Sequence, residues 1–331
     1  MPDVDLYPYQ QAAVDMAAKT SHAGLFLLFD AGLGKTLTSI AIAKTYNRTL
    51  VVAPAKVLHQ FAGEARRLGG LDPVIIRGRS PLAPGVLAGA SFVLISYATV
   101  KFHRAALEKW CALDRTCLIL DESHMLGAWP SFWKFVYNEN SHTERPVLNT
   151  EYRGGAVLSI RKRCRFAVLL SATPAPTARK QIYAQMRILE GGKGSLPGWT
   201  PFLKRYCNWH MSEDGYPDSS GSSNCGEFRA LVAPLISRAQ RSDHAHLLPS
   251  VSRRVEYISL GDQTKRGAIG FMKDSMADAR ASGSGRQSKV QAEIALGAFK
   301  KQKAFKAFLS RVKDEDMRVL VFVNRLKLVG M

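Results

Sequence analysis

Acidic residues are scarce in this 331-residue chain: 27 Asp and Glu stand against 46 Lys and Arg, for a formal net charge of +19. Long apolar runs are missing as well. None approaches the roughly 18 residues that a membrane helix needs, so no membrane role is expected. The opening Met1-Pro2-Asp3-Val4-Asp5 is acidic and polar, unlike a secretory leader. Cysteine is sparse, five residues with no CxxC pair, which excludes a disulfide scaffold. A reduced, intracellular protein of the cytoplasm or nucleoid is expected. Neither an internal repeat nor a long low-complexity tract is present, which excludes solenoids and fibres.

What remains is ordinary globular composition, 46% hydrophobic and 22% charged, with enough apolar matter for a large core. At roughly 150 residues per domain, about two domains are expected. The positive charge is uneven. Residues 1–150 carry 15 basic and 12 acidic side chains, and residues 151–331 carry 31 and 15. A one-signed field over one half suggests a polyanion, and nucleic acid is the usual one; a basic, merely soluble surface is the alternative.

The first 175 residues alternate short apolar runs with amphipathic stretches. Strands are expected at 25–29, 50–53, 74–76, 92–95, 117–120 and 166–170, mostly rich in Val, Ile, Leu and Phe on both faces, as buried parallel strands are. Val57, Leu58, Phe61, Ala62, Ala65 and Leu68 share one helical stripe. This alternation implies an α/β domain around a mostly parallel sheet. From about 176 to 210 the pattern turns helical and basic. Residues 212–226 and 281–285 read as Gly/Ser-rich loops, 294–312 as a long helix, and 319–323 as a last strand.

After the first strand comes Asp30-Ala31-Gly32-Leu33-Gly34-Lys35-Thr36, then a helical stretch. Glycines allow backbone N–H groups to close around phosphates, and a helix N-terminus adds positive potential. Lys35 can reach β/γ-phosphates and the Thr36 hydroxyl can ligate Mg²⁺. The pattern G-x-x-x-x-G-K-[ST] is not fully met, because Phe29 holds the place of its first glycine. A glycine-rich turn that binds nothing is the alternative.

A second apolar strand runs into Asp121-Glu122-Ser123-His124. One carboxylate at a strand end can hold Mg²⁺ and the next can polarise an attacking water. Asp121 is assigned to the metal and Glu122 to the base. His124 is either a loop histidine or a residue that senses the γ-phosphate. A further strand ends in Ser171-Ala172-Thr173-Pro174. These candidates all sit at the carboxyl ends of strands, where an open α/β sheet places its ligand crevice.

Taken in order, these segments resemble the Snf-type helicase-like ATPases, DNA translocases of helicase superfamily two. The resemblance begins at Leu6-Tyr7-Pro8-Tyr9-Gln10 and continues through the glycine loop, Val51-Val52-Ala53-Pro54, Val93-Leu94-Ile95-Ser96-Tyr97, Asp121-Glu122-Ser123-His124 and Leu170-Ser171-Ala172-Thr173-Pro174. Phe202-Leu203-Lys204-Arg205-Tyr206-Cys207 is similar to part of the family's helical protrusion; Pro234-Leu235-Ile236-Ser237-Arg238 and Leu248-Pro249 resemble its interlobe linker. The resemblance implies a RecA-like P-loop lobe over 1–240, with a helical insertion at about 176–230. Residues 241–331 would form the linker, a helical segment and the first strand of a second lobe. It implies ATP and Mg²⁺ as ligands, with Gln10, Gly32, Leu33, Gly34, Lys35 and Thr36 at the nucleotide. Thr36 and Asp121 would hold the metal, and Lys35, Asp121 and Glu122 would serve catalysis. His124, Ser171 and Thr173 would couple nucleotide state to a grip on double-stranded DNA. Lys56 and Ser96 would face that DNA. Arg161 and Arg163, in a basic cluster with Lys162 and Arg165, either touch phosphates or precede a strand at the surface.

Val319 to Arg325 resembles the opening strand of the family's second lobe, and its later segments have no counterpart before Met331. Arg325 belongs to that strand and is no arginine finger. The expectation is a DNA-dependent ATPase motor or motor half that turns over slowly or not at all alone. The rest of the lobe would come from a separate chain, or the product is truncated. Two other readings are a non-hydrolysing ATP/DNA-binding module and a P-loop kinase of a small metabolite. The spacing of Cys207, His210, Cys225, His244 and His246 fits no common zinc finger. Trp129, Trp133, Trp199 and Trp209 either stack on bases or pack internally.

Overall fold

The computed structural model describes residues 5–138, 143–191 and 196–248. The Gly/Ser patch at 281–285, the helix at 294–312 and the strand at 319–323 lie outside the described residues.

The chain opens with α1 (Pro8–Lys19), whose first turn has Pro8 at its start and Gln10 closing a capping box on Tyr7. Then follow β1 (Gly24–Phe29), α2 (Lys35–Ala43), β2 (Arg48–Ala53), α3 (Leu58–Gly69), β3 (Pro73–Ile75), β4 (Phe92–Ser96), α4 (Arg104–Ala112) and β5 (Thr116–Leu120). After them come β6 (Trp133–Asn138), β7 (Thr143–Leu148), α5 (Arg153–Arg161) and β8 (Phe166–Leu170). The last described stretch holds α6 (Gln181–Leu189), α7 (Trp199–Tyr206), β9 (His210–Met211), β10 (Pro217–Asp218), α8 (Cys225–Val232) and β11 (Ile236–Ala239).

A seven-stranded sheet runs in the order β11-β1-β8-β5-β2-β4-β3, and every pairing in it is parallel. The side-chain period of two divides each central strand between two cores. Leu25, Leu27, Val51, Ile119 and Val168 join the core beneath α1, α2 and α3. Phe26, Leu50, Val52, Leu118 and Leu169 join the core beneath α4, α5 and α6. All of these side chains are fully buried, so neither face could tolerate polar residues. Each Leu or Phe removed from water contributes about 1.5–3 kcal/mol.

Helix α3 shows the local logic. Leu58, Phe61, Ala62 and Ala65 are its buried stripe, while Glu64, Arg66 and Arg67 lie outward. The helix stops where Gly70 turns left-handed at φ +61° and its N–H returns to the Arg66 carbonyl.

All six expected strands are present within one or two residues. Ile236–Ala239 differs from the reading of 234–238 as an interlobe linker. It is a strand on the free edge of β1, with Phe26 beside Ile236 and Phe29 beside Ala239. The antiparallel pair β6/β7 was not anticipated, nor was the short β9/β10 ladder within the stretch read as loop. Helices α6, α7 and α8 lie in the stretch that follows β8. Tyr183, Trp199, Phe202, Tyr206 and Phe228 join them through one aromatic cluster.

Candidate functional site

The parallel order sends the carboxyl ends of β1, β8, β5, β2 and β4 to one edge. The loop after β1 bends through Gly32 at φ +83° and Gly34 at φ +72°, conformations that cost an L side chain about 1–2 kcal/mol. A Cβ on Gly34 would also collide with the Gln10 amide nitrogen. Lys35 opens α2, and its Nζ donates to the carbonyls of Phe29 (2.9 Å) and Asp30 (3.2 Å). Burial lowers its pKa; Glu122, Asp121 and Asp30, in that order, pull it back up. Those carboxylates therefore share the lysine's electrostatic neighbourhood. Thr36 follows in the first turn of α2, half-buried.

Gln10 is buried, accepting from the Tyr7 N–H (2.9 Å) and donating to the Leu33 carbonyl (3.2 Å). It fastens α1 to the loop. The Tyr9 hydroxyl donates to the same carbonyl at 3.2 Å, and its ring stacks on His244 with centroids 4.3 Å apart. On the opposite side the Arg241 N–H donates to Asp30 Oδ2 at 2.8 Å. Arg241, just past β11, was missed in the sequence, and His244 was weighed there only as a zinc ligand. No motif marks them, and only the β11–β1 pairing brings them to the loop.

Asp121 ends β5, two strands from β1. Its carboxyl accepts from the Glu122 N–H at 3.1 Å. Burial first, and then the Glu122 charge, push its pKa up to about 6. Glu122 is held at φ 49°, ψ 54°, unusual for a residue with a side chain. His124 Nδ1 lies 3.3 Å from Glu122 Oε2 and 3.4 Å from Ser171 Oγ. Ser171, fully buried at the end of β8, accepts from the Thr173 N–H at 3.1 Å. A second link runs parallel to the first: the Ser123 hydroxyl donates to Gln185 Oε1 (2.8 Å), whose amide donates to the Pro174 carbonyl (2.6 Å). The acidic loop and the Ser-Ala-Thr-Pro turn are thus tied twice. Tyr97, buried after β4, carries a hydroxyl with no hydrogen-bond partner among the described residues. Burial, then Asp121 and Glu122, raise its pKa well above the ordinary value.

The expected DNA contacts fare unevenly. Lys56 is exposed in the turn after β2. Ser96 is buried, and its hydroxyl closes a turn with Thr99 (2.8 Å) instead of facing outward. Exposed Phe102 nearby, with Arg79 at 5.2 Å and Lys101 at 4.9 Å from its ring, presents the surface there. Arg161 must be corrected. It is 3% exposed, and its guanidinium donates to the carbonyls of Ala23, Cys164, Ile188 and Leu189. Desolvation confines so buried a cation to internal partners, so it stitches the sheet's amino edge together and does not meet DNA. Arg163 is exposed, also near that amino edge and away from the glycine loop.

Among the described residues no cluster of three His, Cys, Asp or Glu could hold a metal on its own. Trp129 is buried and packs on Phe132, Trp133 and Tyr183. Among the described residues no helix is long and apolar enough to cross a membrane.

Similarity to known proteins follows the same lines. The chain is 31% identical over 260 residues to the bovine SWI/SNF-related matrix-associated actin-dependent regulator of chromatin subfamily A-like protein 1, covering 75% of this chain and 24% of that one. It is 23% identical over 341 residues to the mouse DNA annealing helicase and endonuclease ZRANB3, covering 98% of this chain and 30% of the relative. The chain thus spans about a quarter to a third of the length of these relatives. The Sulfolobus solfataricus SWI2/SNF2 ATPase core in complex with dsDNA shares the fold, with a TM-score of 0.53, 17% identity, and coverage of 98% of this chain and 68% of that one. The SNF2-related domain matches residues 9–304; this chain belongs to that family of helicase-like ATPases.

Proposed function

We propose that the chain binds ATP with Mg²⁺ at the carboxyl edge of its sheet and holds duplex DNA by its phosphates, as the ATP-binding lobe of a DNA-dependent motor. The observation that carries this reading is the meeting of Lys35, Asp121 and Glu122 at one edge, with Glu122 linked through His124 to Ser171.

The donor set suits the ligands. Gly32 and Gly34 keep side chains out of a loop whose N–H groups precede a helix N-terminus. Lys35 offers a cation with no carboxylate ion pair of its own among the described residues. Asp121, destabilised as an anion by burial, gains from a neighbouring cation. Thr36 and Asp121 would hold Mg²⁺, which supplies positive charge to phosphate oxygens. Two protein ligands suffice, since magnesium keeps waters and substrate oxygens as the others.

Glu122 then orients and deprotonates water, its side chain positioned by the left-handed backbone and by His124. His124 senses the charge on Glu122 and reports it to Ser171. Gln10 and Tyr9 hold the loop's shape through the Leu33 carbonyl. Lys56, Lys101 and Arg79 lie past the ends of the strands and would meet DNA phosphates without reading sequence. A small-metabolite kinase would use Lys35 and Asp121 but leaves the Glu122–His124–Ser171 link without a purpose.

Equilibrium binding of ATP is the primary test, with turnover measured with and without duplex DNA. Lys35→Ala should weaken ATP binding about tenfold or more, the loss of one charge-assisted hydrogen bond. Glu122→Gln should keep ATP binding and remove about 10²–10⁴-fold of any turnover. Turnover untouched by Glu122→Gln would sink the assignment of the base.

A further inference from the structure

The basic cluster at 161–165 has a use that the nucleotide crevice does not absorb. At the opposite, amino edge of the sheet lies a cavity of about 720 Å³. Its lining includes Trp129, Trp133, Lys162, Arg165 and Arg187, over a floor that contains Arg161. Four cations line it, and no acidic residue is among its lining residues. Arg161 is spent on four backbone carbonyls; Arg187 makes one long contact of that kind. Lys162 and Arg165 are exposed. Arg187 lies over the rings of Trp129 and Tyr183, 5.8 Å from each centroid. Its Nη1 makes a long contact with the Leu196 carbonyl (3.5 Å), and its Nε, though buried, has no hydrogen-bond partner among the described residues.

Two exposed cations and the Arg187 guanidinium, with no acidic residue in the lining, favour an anion, and guanidinium groups match phosphate oxygens in geometry. The rings of Trp129 and Trp133 meet edge to face at 69°, 5.8 Å apart; Trp129 is buried, so the half-buried Trp133 supplies the planar apolar wall. Cations combined with aromatic faces are what a phosphate and a base together require. The volume lies within the usual range for small-ligand sites.

We propose that this cavity is a second nucleotide site: a nucleoside monophosphate unit places its phosphate between Lys162, Arg165 and Arg187 and its base against Trp133. The unit is either a free nucleotide or the 5′-phosphorylated end of a single strand. The site stands apart from the ATP crevice and does not depend on the ATPase reading.

The test uses the full chain carrying Lys35→Ala, so that the crevice contributes little nucleotide binding. Adenosine 5′-monophosphate, a 5′-phosphorylated oligothymidylate, the same oligomer with a 5′-hydroxyl, and hexaglutamate are titrated by calorimetry. The phosphorylated probes should bind, and Lys162→Glu with Arg165→Glu should weaken them about tenfold or more. In the chain that keeps Lys35, ATP affinity at the crevice should be unchanged by that pair. Trp133→Leu should weaken the monophosphate while leaving inorganic phosphate as it was. Comparable binding of the free nucleotide and the oligomer supports a free ligand; binding of the 5′-phosphorylated oligomer alone supports a strand end. No binding of either, binding indifferent to the charge reversal, or binding of hexaglutamate alone overturns the proposal.

Discussion

Asp121 illustrates how a single carboxyl group can be poorly placed for stability and well placed for a cation. Its folded pKa of about 6 exceeds the ordinary 3.8 because burial and Glu122 disfavour the anion. The folded state therefore binds this proton more readily than the unfolded chain, and the ionised group costs stability above pH 6. Asp121→Asn should raise the melting free energy by on the order of 1 kcal/mol at pH 7–8, with the gain fading as pH falls from 6 towards 4. Thermal unfolding without nucleotide across that range checks it; a gain that grows in acid would contradict the sign. His124→Ala should leave ATP affinity near its original value and remove any DNA stimulation that turnover shows, because it cuts one link while Ser123–Gln185 keeps the loops in register. Equal ATPase rates with and without DNA are the expected readout. Asp121, Glu122 and Ser171 stood out as candidates because they follow directly on apolar strands, and the glycine loop because it joins a strand to a helix; Gln10, on α1, had only the resemblance behind it. The fate of Arg161 was not: burial depends on where α5 ends, and a run of basic residues looks the same whether it faces solvent or carbonyl groups.

At the level of elements, the close seating of α5 sets a strict rule at Gly155. Alanine favours a helix over glycine by about 1 kcal/mol. Here a Cβ would strike the backbone carbonyl of Asn149, which cannot rotate aside. Sterics outweigh propensity, and Gly155→Ala should destabilise the protein by about 1–3 kcal/mol in denaturant titration. Gly34→Ala should behave differently. Its strain of about 1–2 kcal/mol falls on the loop proposed to hold phosphates, so ATP affinity should drop further than stability does. The central strands could be read from composition because both faces are buried. β11 could not: Ile236, Ser237 and Arg238 look like a polar connector, and only the exposed margin of β1 makes a strand of them. The β6/β7 pair escaped for a related reason, since Phe135 and Val136 remain exposed and give no clear alternation.

For the whole molecule, the excess of positive charge beyond residue 150 is the feature that sequence alone made plain. If DNA is held through phosphates, log affinity should fall linearly with log salt, with a slope of about −0.9 for each phosphate neutralised. A slope near zero in filter-binding or anisotropy titrations would remove the basis for a backbone-gripping lobe.

The pairing of β11 with β1 also gives the sheet a weak margin next to its most delicate turn. The Asp30 N–H donates to the Ala239 carbonyl, and Asp30 Oδ2 receives the Arg241 N–H. Unravelling that starts from this side reaches the glycines before it touches Asp121, so tension on the downstream chain would loosen the glycine loop while the acidic pair stays in place.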